Sequence, residues 1–129
     1  PMPVSKELFT LSIEHGLAPR GASCEYTILP GATPEATAAW RGGKTLANTP
    51  QLQAAELRDG RTGAVFHAPG RLGAFQTDSP GVFLIGKKEV WAADPAARLN
   101  RMKLTLGGVA REVPLPGGEL AGRSVRVEF

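Results

Sequence analysis

The stretch Pro80–Pro95, PGVFLIGKKEVWAADP, sets two short apolar runs on either side of a lysine-bearing turn. Val82–Ile85 and Val90–Ala93 are rich in β-formers and are bounded by Pro80-Gly81, Gly86-Lys87-Lys88 and Asp94-Pro95. Short runs closed off by glycine and proline read as strands rather than helices. Similar runs recur at Leu52–Leu57, Gly63–Ala68, Met102–Leu106, Ala110–Val113 and Ser124–Glu128. Turn signals separate them at Asp59-Gly60, Pro69-Gly70, Gly107-Gly108 and Pro116-Gly117-Gly118. Many short strands at close spacing argue for a β-sandwich or barrel. The expected fold class is all-β, an antiparallel β-sandwich with one short helix. In SVRVEF, the closing run, Val125, Val127 and Phe129 share one face and Arg126 and Glu128 the other.

Upstream, Leu8–Glu14 alternates, with Phe9, Leu11 and Ile13 on one side, and reads as a half-buried strand. Cys24–Leu29 reads as its partner across a wide loop. In that strand Cys24 would alternate with Tyr26 and Ile28, which makes it a buried, inert thiol rather than a nucleophile. Thr33-Pro34-Glu35 is a helix start: a hydroxyl cap, proline at the first helical position and an acid in the first turn. Arg41-Gly42-Gly43 stops that helix, and the best internal boundary lies there. The expected organisation is therefore residues 1–43 followed by residues 44–129.

The chain has 129 residues, enough for one domain or two small packed pieces. Sixteen glycines and eleven prolines favour short elements and tight turns. The net charge of +3 arises in the second half, where residues 65–129 carry nine basic against six acidic side chains. That bias falls short of the dense basic stripe of a nucleic-acid binder, so no nucleic-acid partner is expected. One cysteine excludes an internal disulfide and leaves the zinc and redox spacing rules nothing to act on. Neither a signal-peptide pattern nor a stretch of 18 apolar residues occurs, so no membrane partner is expected. Pro1-Met2-Pro3 looks like an engineered scar or a cut end.

Reactive residues are sparse. His15, at a strand end beside Gly16, and His67, beside Phe66, are far apart and lack an acidic cluster, which makes them turn or structural residues before a metal site. No G-x-S-x-G elbow and no phosphate-binding glycine loop is present. Asp94-Pro95 is an ordinary turn former at a strand end. Trp40 and Trp91 are core or interface residues in the plain reading. An exposed indole beside cations is also a sugar-stacking platform, and Trp91 lies close to Lys87 and Lys88, which suit the carboxylates or sulfates of an acidic glycan. These three are the candidate substrate-binding residues. No catalytic residue, metal ligand or cofactor site emerges.

A resemblance adds to this. LFTLSIEHGLAPRGASCEYTILPGATPEATAAW, residues 8–40, is similar to the end of the central β-sandwich domain in the family 8 polysaccharide lyases, the hyaluronate, chondroitin and xanthan lyases. Phe9-Thr10-Leu11, Ile13-Glu14-His15-Gly16, Pro19, Tyr26, Leu29-Pro30-Gly31, Glu35 and Thr37 carry the match. LANTPQLQAAEL resembles the opening of that family's C-terminal sandwich through Asn48, Thr49, Gln53 and Ala54. VWAADPA looks like a later strand, and LPGGELAGRSVRVEF like the final hairpin, with Gly122, Arg123 and Ser124 leading the last strand. Ser12 and Cys24 depart from the pattern. The resemblance implies β-elimination at a uronic acid, with no metal cofactor. It places the catalytic tyrosine, histidine, asparagine and arginine on an N-terminal α/α toroid absent from these 129 residues. His15 and Tyr26 do not match the catalytic motif. The implied partners are an acidic polysaccharide of the hyaluronan, chondroitin or xanthan type and the remaining lyase domains, in an extracellular or periplasmic setting. An autonomous carbohydrate-binding module and a β-sandwich interaction domain are the competing readings.

Overall fold

Residues 12–129 are described in a computed structural model of the chain. The chain divides into two compact units, residues 1–38 and residues 39–129.

In the first unit the described residues form one element, the helix α1 (Pro34–Ala38). Its start is the one the sequence predicts: the Ala36 N–H donates to Thr33 Oγ1 at 3.1 Å. The strand expected over Leu8–Glu14 lies largely outside the described residues, and residues 12–14 are not strand. Cys24–Leu29 is not a strand either, which corrects the sequence reading. Cys24 is exposed rather than buried, and Tyr26 and Ile28 are exposed beside it. Alternation marks a segment fit for a sheet, but a strand needs a neighbour to pair with.

The second unit is the sandwich. Its strands are β1 (Lys44–Asn48), β2 (Leu52–Glu56), β3 (Thr62–Phe66), β4 (Gly70–Leu72), β5 (Phe75–Thr77), β6 (Gly81–Ile85), β7 (Glu89–Ala93), β8 (Arg101–Leu106), β9 (Val109–Pro114) and β10 (Val125–Glu128), with a 3-10 turn at Gly118–Leu120 before the last. They build a six-stranded antiparallel sheet, β1-β2-β3-β6-β7-β10, and a four-stranded one, β4-β5-β8-β9. Three strands were not expected: β1, whose KTLAN sequence lacks apolar alternation, and the three-residue β4 and β5.

The facing sides of the sheets meet through three phenylalanines. Phe66 from β3, Phe83 from β6 and Phe75 from β5 have ring centroids 5.0–5.8 Å apart, the geometry in which aromatic edges meet aromatic faces. Val90, Ala92, Met102, Leu104 and Val113 complete the buried set around them. Two glycines that read as turns make room for these rings. A Cβ on Gly81 would lie 2.9 Å from both the Ala93 carbonyl and the Phe83 ring, and one on Gly70 would lie 3.0 Å from the Phe66 ring. Both residues open strands, with the rings packed where their side chains would be.

Asp94 organises the exit from β7. It is buried, and its carboxylate accepts backbone N–H groups from Ala96 at 3.0 Å, Arg98 at 2.7 Å and Leu99 at 2.8 Å. These bonds, led by that of Leu99, hold its pKa below the ordinary aspartate value against the opposing effect of burial. Gly122, in the left-handed region at φ +82°, closes against this loop, since a Cβ there would sit 3.4 Å from the Asp94 carbonyl.

Phe75→Ala should cost about 3–5 kcal/mol in chemical denaturation, and Gly81→Ala about 1–3 kcal/mol because the core must shift to admit a methyl group. An unchanged midpoint for Gly81→Ala would remove the packing argument. Asp94→Asn should cost about 1–3 kcal/mol at neutral pH by replacing an acceptor with an amide. A depressed carboxyl pKa gives stability that is complete above the unfolded value, about 3.9, and is lost as pH falls through the folded value. The gap between parent and Asp94→Asn should therefore narrow only in acid, and a gap independent of pH would contradict this assignment.

Candidate functional site

The outward faces of the two sheets differ. On the four-stranded sheet Arg71, Gln76, Lys103 and Glu112 are exposed, as an antiparallel sheet facing water requires. On the six-stranded sheet the outward rows are largely apolar. Register sets Val65 beside Val82 and Val82 beside Ala93, and sets Gly63, Leu84, Trp91 and Arg126 in one line. Val82 and Trp91 are each 39% exposed, so the row is open to contact.

Trp91 stands on this face. Its inward neighbours on β7, Val90 and Ala92, are fully buried, which fixes the strand and turns the indole outward. Lys87 and Lys88 occupy the turn between β6 and β7, closed by the Gly86 N–H donating to Glu89 O at 2.8 Å. The Phe129 N–H donates to Lys88 O at 2.8 Å and ties the chain end to the same turn. Glu89 and Val90 separate Lys88, in the turn, from Trp91, in the middle of β7. Lys87, Lys88, Glu89, Arg126, Glu128 and Phe129 line a shallow depression at the turn. Of the three sequence-predicted site residues, the two lysines line this depression, and Trp91 lies outside it in the middle of β7.

The structure also adds Arg126, which the sequence reading did not include. Arg126 Nε lies 2.6 Å from Glu89 Oε2, and its Nη2 lies 3.1 Å from Glu128 Oε1. The hydrogen bond and charge of Glu89 hold the guanidinium above its ordinary pKa. Glu89 and Glu128 are therefore engaged by one arginine, while Lys87 and Lys88 form no ion pair among the described residues. The outward position of Arg126 is legible in SVRVEF. Its partner strand is not, because β7 and β10 lie more than thirty residues apart.

The other marked residues have structural surroundings. Trp40 is half-buried, with the Arg58 guanidinium 5.6 Å from its ring and Gly42 packed on its face. His67 Nε2 lies 2.9 Å from Gln53 Oε1, so with the amide oxygen as acceptor the imidazole donates from Nε2. Thr49 shapes the turn between β1 and β2: its hydroxyl accepts from the Leu52 N–H at 3.0 Å, and Gln53 Nε2 donates to the Thr49 carbonyl at 3.3 Å. His15 and Tyr26 are exposed residues of the first unit. Among the described residues no three His, Cys, Asp or Glu side chains converge as metal ligands, and no helix is long and apolar enough to cross a membrane.

Residues 44–101 match the model of the polysaccharide lyase family 8 C-terminal beta-sandwich domain. Chondroitinase-AC of Pedobacter heparinus is 36% identical over 143 aligned positions, which cover 97% of this chain and 20% of that protein. A hyaluronate lyase of Thermasporomyces composti is 33% identical, over 74% of this chain and 14% of its own length. The chain thus spans a fifth or less of the curated relatives it matches. No solved structure gives a significant match. The family model falls on the β-strands, the paired sheets enclose one core, and the alignment to chondroitinase-AC runs through nearly the whole sequence, so the chain belongs to polysaccharide lyase family 8 and carries its C-terminal β-sandwich domain.

Proposed function

We propose that this chain is the non-catalytic β portion of a lyase that cleaves uronic-acid-containing polysaccharides by β-elimination, acting as structural support for a catalytic α/α toroid. The alignment to chondroitinase-AC carries this reading, because it covers 97% of the chain and only 20% of the relative, leaving most of that enzyme elsewhere. The names of the two relatives point to chondroitin and hyaluronan as substrates of those proteins, and an acidic glycan of that type is the substrate class proposed here. An extracellular or periplasmic location suits such a polymer.

Residues 1–43 are proposed to be the last strands and short helix of the central sandwich domain, and residues 44–129 the C-terminal domain. Exposed Ile13, Leu17, Tyr26 and Ile28 support the first assignment, since exposed apolar side chains suit packing against a sheet elsewhere in the enzyme. The closed phenylalanine core supports the second.

Purified chain mixed with hyaluronan or chondroitin should release no unsaturated uronate, followed by its ultraviolet absorbance. Added to the catalytic portion of a family 8 relative lacking its own C-terminal β segment, it should raise product formation or the melting temperature of that portion. Turnover by the chain alone, lost in Tyr26→Phe or His15→Ala, would overturn the scaffold reading. Glycan binding without any effect on the catalytic portion would favour an autonomous carbohydrate-binding module.

A further inference from the structure

We infer that the outward face of β7 and the turn preceding it form an ancillary contact for the acidic polysaccharide, with Trp91 stacking on a sugar ring and Lys87 and Lys88 meeting its carboxylates or sulfates. The inference rests on the family reading for the class of glycan and on geometry for the place. Trp91 presents an open indole on a flat apolar row beside Leu84, and the apolar face of a pyranose fits such a surface. Charge selects the occupant. Arg126 occupies both Glu89 and Glu128, leaving the two lysine ammonium groups to attract an anion. Lys87, Lys88 and Trp91 belong to one hairpin, β6–β7, so one extended glycan chain running along it is the geometry proposed. The glycan is the occupant assigned because one polymer of that class offers both a pyranose face for the indole and repeated anions for the two lysines.

The test is calorimetric titration of the 129-residue chain at low salt with hyaluronan and chondroitin sulfate oligosaccharides. Dextran sulfate serves as a polyanion without uronate. Trp91→Ala should weaken binding of the uronate glycans about tenfold or more, Trp91→Phe should retain most of it, and the paired change Lys87→Ala with Lys88→Ala should weaken it about tenfold. Added salt should erase the lysine effect before the tryptophan effect. Lys103→Ala, a cation on the opposite sheet, should stay within about twofold. The lysine variants should keep the parent melting curve, since those side chains are exposed; Trp91 is 39% exposed, so Trp91→Ala is compared with Trp91→Phe at a temperature where both are folded.

Undetectable binding of both uronate glycans would overturn the inference, as would equal affinity for dextran sulfate with no response to Trp91→Ala. If the catalytic portion of a relative is still supported by the chain in either case, the scaffold reading stands and this contact alone fails. Loss of that support in Trp91→Ala, with glycan binding unchanged, would assign the face to protein instead.

Discussion

The sandwich depends on three rings. Phe66 and Phe83 project from neighbouring strands of the larger sheet and meet Phe75 from the smaller one, so a single aromatic contact joins the two layers. Much else is arranged around it. Gly81 faces Phe66 across the β3–β6 ladder and lies against the Phe83 ring, while Gly70 lies against Phe66. The smaller sheet has two three-residue strands, β4 and β5, and hairpins of that length are marginal in water without a packed face. Phe75, in the middle of that sheet's contribution, gives β5 its reason to stay.

How much was legible in the sequence follows from the same physics. Val82–Ile85 and Val90–Ala93 could be read because turn chemistry bounds them and their apolar content is high. The helix start at Thr33-Pro34-Glu35 could be read because a cap is a local device. Gly70 and Gly81 were misread as turn residues because their purpose is to admit rings, Gly81 that of Phe83 two residues along its own strand and Gly70 that of Phe66 on another. Strand β1 was missed because it lies at a sheet edge with a bulge between Thr45 and Ala47, where alternation has little to bury. Cys24–Leu29 shows the opposite failure: its alternation is clear, yet the segment is not strand, and Cys24, Tyr26 and Ile28 are exposed.

Several residues that carry the family likeness hold the architecture of the second unit. Thr49 and Gln53 hold the β1–β2 turn, Asp94 gathers three backbone donors, and Gly122 takes a left-handed conformation, φ +82°, beside the Asp94 loop. The likeness at Asp94-Pro95 and the likeness at Gly122-Arg123-Ser124 therefore describe one spatial feature, divided in sequence by two strands of the other sheet. Such contacts matter because backbone groups without partners are costly to bury.

The candidate site has the complementary character. Lys87, Lys88 and Trp91 could be found from sequence because a tight hairpin keeps them together, whereas Arg126 joins them only through long-range pairing of β10 with β7. That added arginine changes the electrostatics of the site. By drawing Glu89 and Glu128 to itself, it turns a depression of mixed charge into one with both glutamates occupied and two lysines available. The apolar row then supplies area and the lysines supply sign. A surface built this way discriminates by charge at its rim and by shape at its centre, and either part alone would be far less selective.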